Sequence, residues 1–179
     1  MRATSFTHVS IHAYDLEEST RFYVDLFGMR RVPAPDFEHP VVWLEVGDQQ
    51  LHLFHRDTPA PEFHHIGIDV DDFEAAYTVA LERGLFDRDA WSPNVRVLND
   101  GAVQMYLRDP AGNLVEVNRP EASTLDRSVV TTMTSIADER PRSDEATRAI
   151  AVADATPHGV LRCRWWRSAT CGCACSVAG

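Results

Sequence analysis

Polar and apolar positions follow the same order twice in the first two-thirds of the chain. Residues His8–Glu17 align with His65–Glu74 at an offset of 57 (65 minus 8). Each copy begins with alternating positions, which predict a β-strand, and then changes to helical spacing. An aspartate that can cap the helix marks the change, and a glycine ends the helix. These four residues are Asp15, Gly28, Asp72 and Gly84.

Three short strand-like runs follow each predicted helix. They lie near residues 30–32, 40–46, 50–55, 95–98, 103–107 and 114–118. Each copy therefore predicts a βαβββ module, at about residues 5–56 and 63–120, with the proline-rich segment 57–62 as the linker. The predicted fold class is α+β, in which two βαβββ modules form a curved mixed sheet, or cup, within a domain of residues 1–120.

Residues 121–179 form a C-terminal extension with a different character. A cap at Ser143 predicts a helix over about 143–155, and the remainder is expected to be poorly structured. The last part combines Trp and Cys residues and shows no hydrophobic period. We therefore interpret it as a disordered tail or as the product of a frameshift. Resequencing of the gene would test the frameshift. A thiolate metal site is the alternative, but the one-residue spacing of Cys171, Cys173 and Cys175 suits tetrahedral ligands poorly.

Amino-acid composition and net charge limit the classes of protein and of binding partner that this chain can represent. The 179 residues are 44% hydrophobic and 25% charged, as in ordinary globular domains. No apolar run has the length of a membrane span, and no secretory signal is recognised, so we expect a cytoplasmic protein. Seventeen arginines against 27 acidic residues give a net charge of -10. Such a surface repels phosphate backbones and anionic lipid, which argues against nucleic acid and membranes and favours a small-molecule substrate.

Four residues capable of binding a metal occupy equivalent places in the two copies. His8 and His65 begin the first strand of each module, while His52 and Glu116 lie in the middle of the fourth. Apolar residues flank each of them, so one strand face is apolar and the other offers a ligand atom. If the modules pack with pseudo-twofold symmetry, the four side chains converge on one point.

Three imidazoles and one carboxylate suit Zn²⁺, Fe²⁺, Ni²⁺ or Mn²⁺ better than Mg²⁺ or Ca²⁺, which prefer oxygen. For any single residue of the four, a hydrogen-bonded polar group lining a pocket is the simpler interpretation. The repetition favours a metal site, because four buried polar groups without partners would each cost free energy.

Three segments resemble the vicinal oxygen chelate superfamily, which includes glyoxalase I, methylmalonyl-CoA epimerase, extradiol dioxygenases, fosfomycin-resistance enzymes and bleomycin-binding proteins. They are residues 8–29, 65–73 and 106–116, and the resemblance extends over about residues 5–120. It implies a divalent metal on His8, His52, His65 and Glu116. It also implies paired modules that often complete their cup by dimerisation, so we expect a homodimer.

The residue at position 52 separates the possible chemistries. Glyoxalase-like and epimerase-like members use four protein ligands, usually with Glu or Gln where this chain has His52. In that reaction the ion stabilises an enediolate and Glu116 moves a proton. If His52 only lines the pocket, the other three residues form the two-His-one-carboxylate iron site of an extradiol dioxygenase. The non-catalytic alternative is a drug-binding protein, although relatives of that type generally lack the metal residues.

Several further residues are candidates for contacts around this site. His12 shares the face of His8, and Tyr106 precedes Glu116 by ten positions, a spacing similar to that of a substrate-contacting tyrosine in fosfomycin-type relatives. We therefore predict catalytic roles for Glu116, Tyr106 and His12. Arg96 or Arg108 can meet an anionic substrate.

Overall fold

The computed structural model describes residues 2–3, 5–91 and 93–139. The first module consists of β1 (His8–Ala13), α1 (Leu16–Phe27), β2 (Arg30–Val32), β3 (Val41–Val46) and β4 (Gln49–His55). The second consists of β5 (His65–Asp69), α2 (Phe73–Arg83), β6 (Val95–Val97), β7 (Val103–Arg108) and β8 (Leu114–Arg119). The α+β class and the repeated βαβββ order predicted from the sequence are confirmed.

The predicted caps define both helices. The Asp15 carboxylate accepts the N–H groups of Glu17 and Glu18, each at 2.9 Å. At the other end, Gly28 adopts the left-handed conformation with φ of 64°. Asp72 and Gly84 act in the same way for α2. These contacts satisfy backbone groups that a helix end otherwise leaves without partners.

The strands form two curved sheets with the same internal order. The first has the order β1-β4-β3-β2 and the second β5-β8-β7-β6, extended at its outer edge by a further strand, β9 (Met133–Ser135). In each module the first and fourth strands run parallel and the other pairs run antiparallel. Strands β1 and β5 are therefore edge strands of their sheets.

Alternation along each strand directs one set of side chains to the helices. Buried apolar residues fill the helix side of both sheets. They include Val42, Leu44, Leu51, Leu53, Met105, Val115 and Val117, together with Phe22 and Tyr23 of α1 and Phe73 and Tyr77 of α2. Because successive residues of a strand point to opposite faces, the polar residues between them lie on the face turned away from the helices.

Two polar contacts join the modules. The hydroxyl of Tyr23 in α1 donates to the Asp109 carboxylate in the β7–β8 turn at 2.9 Å, and the Asn113 amide donates to the His12 carbonyl at 2.7 Å. Burial raises the pKa of Asp109, although donors from Asn113, Tyr23 and Ala111 oppose that rise. Burial, together with the neighbouring Asp109, raises the pKa of Tyr23 well above its usual range.

The chain beyond residue 120 contributes to the second sheet. A 3₁₀ turn at Ala122–Thr124 precedes β9, which pairs in parallel with β6, and a four-residue helix, α3 (Ile136–Glu139), follows it. The sequence pattern did not predict this strand. The predicted helix at about 143–155, the expected disordered or frameshifted tail and the alternative cysteine metal site all lie outside the described residues. No helix in the described part of the chain has the length and apolar composition needed to cross a bilayer.

Candidate functional site

The four predicted metal ligands all lie on the sheet faces turned away from the helices. In the first sheet, Ser10 is the register partner of His52, so His8 shares the face of His52. In the second sheet, Gly67 is the partner of Glu116, so His65 shares the face of Glu116. Alternation along the strands alone is sufficient to place them there.

His8 and His52 form the first pair. Their rings stack with centroids 4.3 Å apart, and the Trp43 ring stacks on His52 at 4.1 Å. His52 is buried, and this burial, with the neighbouring His8, lowers the pKa of His52. The Nε2 atom of His52 lies 2.9 Å from the side-chain oxygen of Gln50. That oxygen accepts, so Nε2–H donates and the remaining lone pair of the neutral ring is on Nδ1.

His65 and Glu116 form the second pair. The Nδ1 atom of His65 lies 3.1 Å from the Phe63 carbonyl, which only accepts, so this nitrogen carries a proton. In the neutral ring the lone pair is then on Nε2, which lies 3.4 Å from Oε2 of Glu116. Two lone pairs facing each other favour a cation between them, whether a proton or a metal ion. The donor set thus fits a divalent ion of the kind that imidazole and carboxylate bind.

Other side chains hold the Glu116 carboxylate from both sides. The hydroxyl of Tyr106 donates to Oε2 at 2.5 Å, and the amide of Asn118 donates to Oε1 at 2.9 Å. Gly67 lies beside this arrangement, and a Cβ there would be in ordinary van der Waals contact with Asn118 at 3.4 Å and Glu116 at 3.6 Å. Burial and the bond to Glu116 raise the pKa of Tyr106, and Arg96 opposes the rise. Tyr106 therefore stays protonated and keeps its hydrogen bond at neutral pH.

The two pairs remain separate within one chain. Among residues 2–3, 5–91 and 93–139, no group of three or more His, Cys, Asp or Glu side chains is close enough to hold a metal ion. The sequence interpretation placed all four residues around one point, and the structure brings them together as two pairs. The difference arises because alternation fixes the face of a residue, whereas the distance between modules depends on how they pack.

The remaining candidates have different surroundings. His12 lies at the end of β1, where its Nδ1 is 3.3 Å from the Thr58 carbonyl in the linker. Arg108 is bound by the Asp87 carboxylate at 2.8 Å and by the carbonyls of Gly112 and Glu62. The contacts of His12 and Arg108 are thus with the linker and the turns, whereas Tyr106 touches Glu116 directly.

Sequence reasoning missed Asn118 and Gln50, which contact two of the predicted ligands. Each lies two residues from its partner, Glu116 or His52, and therefore on the same strand face. The period of two that identified the ligands was the signal that could also have found these neighbours.

The family of the chain follows from its sequence and its fold together. Residues 5–117 match the model of the Glyoxalase/Bleomycin resistance protein/Dioxygenase superfamily. The chain belongs to this superfamily. The match covers both modules, and the superfamily includes the glyoxalases and dioxygenases to which the three motifs were compared above.

Three relatives have sequence identities to this chain of 24–30%. Human mitochondrial methylmalonyl-CoA epimerase is 30% identical over 129 residues, which cover 63% of this chain and 72% of the epimerase. The solved structure of Oxidase ChaP-H2 is 25% identical with a TM-score of 0.55, covering 68% of this chain and 98% of the oxidase. The solved structure of lactoylglutathione lyase from Agrobacterium tumefaciens is 24% identical with a TM-score of 0.50, covering 66% of this chain and 95% of the lyase. The lyase supports the fold alone.

Proposed function

We propose that the protein is a divalent-metal-dependent enzyme that acts on a small oxygenated substrate by proton transfer next to a carbonyl, as a glyoxalase or an epimerase does. The observation that carries the proposal is the second pair, in which the lone pair of His65 faces a carboxylate oxygen of Glu116 at 3.4 Å. The similarity to an epimerase over more than half of the chain supports the same class.

The complete site in this proposal is built from two copies of the chain. His8 and His52 of one copy would meet His65 and Glu116 of the other, and a twofold axis would make two equivalent sites. The unpaired edges of β1 and β5 support this arrangement, because they lie beside the two pairs. Three exposed apolar residues near those edges, which a second copy would cover, support it as well. They are Phe6, Val9 and Phe63, with 82%, 41% and 56% of their surface exposed.

The residues of the second pair have distinct tasks in the proposed reaction. The metal ion supplies Lewis acidity for a substrate carbonyl and lowers the cost of an adjacent negative charge. Glu116 accepts and returns the substrate proton through its carboxylate, whose Oε2 now accepts the hydrogen bond of Tyr106. Tyr106 keeps that oxygen oriented, and Asn118 holds the other oxygen. The Tyr106 hydroxyl can also donate to a substrate oxygen when Glu116 moves.

An extradiol dioxygenase is the second candidate, and one observation favours it. His52 stacks on Trp43 and donates from Nε2 to Gln50, so this nitrogen is engaged within the protein and only Nδ1 has a lone pair for an ion. His8, His65 and Glu116 would then be the three ligands of an iron site with positions left open for oxygen and substrate. His52→Ala separates the two candidates, since it should weaken metal binding only if four residues bind.

Mixed dimers test whether two chains share one site. One variant carries His8→Ala with His52→Ala, and the other carries His65→Ala with Glu116→Gln. Neither should bind metal alone, because each lacks half of every site. After unfolding and refolding together, random pairing restores one site in half of the dimers, which is roughly a quarter of the wild-type metal content. No recovery in refolded dimers would contradict the shared site.

Metal content and turnover test the reaction. Purified protein should contain or bind a first-row divalent ion by elemental analysis, and a chelator should abolish activity. Spectroscopic turnover of thiol adducts of 2-oxoaldehydes, or isotope exchange next to a thioester carbonyl, supports the lyase or epimerase reaction. Oxygen uptake with catechols supports the dioxygenase. A protein that binds ligands equally well with and without metal would instead be a non-catalytic binding protein.

A further inference from the structure

The fourth strand of each module carries a side-chain amide two residues away from its candidate metal ligand. In β4, Gln50 precedes His52 by two positions, and in β8, Asn118 follows Glu116 by two positions. Because alternate residues of a strand share a face, each amide lies on the same face as its neighbouring ligand. The two modules therefore share this combination of a ligand and an amide.

Each amide engages one atom of the ligand beside it. Asn118 donates to Oε1 of Glu116 at 2.9 Å, and the other oxygen, Oε2, faces Nε2 of His65 at 3.4 Å. The side-chain oxygen of Gln50 lies 2.9 Å from Nε2 of His52. A carboxylate only accepts hydrogen bonds, whereas a neutral imidazole has one N–H group to donate. An amide can therefore hold either kind of ligand, because it has both a donor and an acceptor.

Two stacked rings define the plane of the His52 imidazole. Strand β4 lies between β1 and β3, so the rings of His8 and Trp43 contact His52 from opposite sides, with centroids 4.3 Å and 4.1 Å away. Stacking fixes the plane of an imidazole but does not distinguish its two nitrogen atoms. The hydrogen bond to Gln50 does distinguish them, because it places the proton on Nε2.

We propose that Gln50 is a positioning residue, which accepts the Nε2–H group of His52 and thereby directs Nδ1 to the divalent ion. An imidazole can bind a metal through either nitrogen, and the hydrogen bond of one nitrogen decides which is used. His65 has the opposite arrangement, because its Nδ1 donates to the Phe63 carbonyl. One site would then hold His52 by Nδ1 and His65 by Nε2. The inference rests on the proposed function for the presence of the ion.

Nitrogen NMR of the metal-free full-length protein tests the role of Gln50 in the absence of an ion. At about pH 7.5, above the ordinary imidazole range, the ¹⁵N signals of His52 should show a protonated Nε2 and an unprotonated Nδ1. Gln50→Leu should bring the two ¹⁵N shifts closer together, because the second tautomer becomes populated. Gln50→Glu, which keeps an acceptor, should preserve the wild-type pattern. Gln49→Leu is the matched control, because Gln49 is exposed on the opposite face of β4.

Titration with Zn²⁺ tests which atom binds the ion. Zn²⁺ should shift the Nδ1 signal of His52 and leave its Nε2 proton in place. Gln50→Leu should weaken Zn²⁺ binding by about 10–100-fold, the usual effect of removing a residue that orients a ligand. Gln50→Glu should bind at least as well as wild-type protein, and Gln49→Leu should bind equally well.

Three results would overturn the proposal. The first is a wild-type His52 ring protonated on Nδ1, which would mean that the Gln50 amide donates to it. The second is Zn²⁺ bound through Nε2, and the third is equal Zn²⁺ affinity in Gln50→Leu and Gln49→Leu. If Gln50→Leu does not fold, the wild-type spectra with and without Zn²⁺ decide. A protein that binds no Zn²⁺ but shows the expected tautomers refutes the proposed enzyme and leaves the control of the His52 ring by Gln50 standing.

Discussion

Replacing Tyr23 by Phe should weaken the contact between the two modules with little effect on packing. Tyr23 is fully buried, and its hydroxyl donates to the Asp109 carboxylate at 2.9 Å. The substitution keeps the ring and removes only this donor. A hydrogen bond to a charged group contributes about 1.5–3 kcal/mol, so we expect the free energy of unfolding to fall by about 2 kcal/mol. For a chain of this length, that corresponds to a decrease in Tm of about 4–8 °C.

The loss should depend on pH in a defined direction. The Tyr23 hydroxyl favours ionised Asp109, and the pKa of Asp109 is raised by burial. Removing the donor raises that pKa further. An acid with a raised folded-state pKa favours folding below its unfolded pKa, and this contribution is lost as the pH rises through the folded value. The Tyr23→Phe penalty should therefore be largest at about pH 7.5 and smaller at about pH 4.5.

Urea unfolding followed by circular dichroism measures both effects. Tyr14→Phe is the matched control, because it removes the same hydroxyl from an exposed tyrosine, and it should leave the stability unchanged. The reasoning is refuted if the two substitutions have the same effect at about pH 7.5, or if the Tyr23→Phe penalty grows as Asp109 becomes protonated.

Three further substitutions test local features by the same unfolding measurement. Arg108→Gln leaves the buried Asp87 carboxylate without its cation and should lower the free energy of unfolding by about 3–5 kcal/mol. A decrease smaller than that expected for an exposed ion pair would contradict the interpretation of Arg108–Asp87 as a buried ion pair. Gly28→Ala should cost about 1 kcal/mol, because φ is 64° with open space around the residue, and Gly28→Asn should cost less. Asp72→Ala removes the cap of α2 and should cost about 1 kcal/mol, while Asp72→Ser should restore most of it.

The local pattern was sufficient to predict the elements of the two modules. The helix boundaries follow from Asp15, Gly28, Asp72 and Gly84, whose chemistry acts on adjacent backbone groups. The strand faces follow from alternation, which placed all four metal-ligand candidates on the sheet faces opposite the helices. Both features depend on interactions between residues that are close together in sequence. A short segment of the chain is therefore sufficient to predict them.

The arrangement between modules could not be predicted in the same way. The Tyr23–Asp109 contact joins residues 86 positions apart, and no local period connects them. The pairing of His8 with His52 and of His65 with Glu116 depends on the first and fourth strands of each module becoming neighbours. The relation between the two pairs depends on how the modules pack. Strand β9 was not predicted because it lies outside the internal repeat, whereas the equally short strands β2 and β6 occupy equivalent places in the two copies.

The position of β9 also limits how copies of this protein can associate. Open strand edges are templates for adding further strands, and a chain with compatible open edges at both ends can grow into a fibre. Here β9 occupies the outer edge of the second sheet, and the outer strand of the first sheet, β2, is short and carries the paired charges of Arg30 and Arg31. Both outermost strands, β2 and β9, are only three residues long, and such short edge strands offer few backbone groups for pairing with another chain. In the proposed dimer, the edges of β1 and β5 would be the ones that meet.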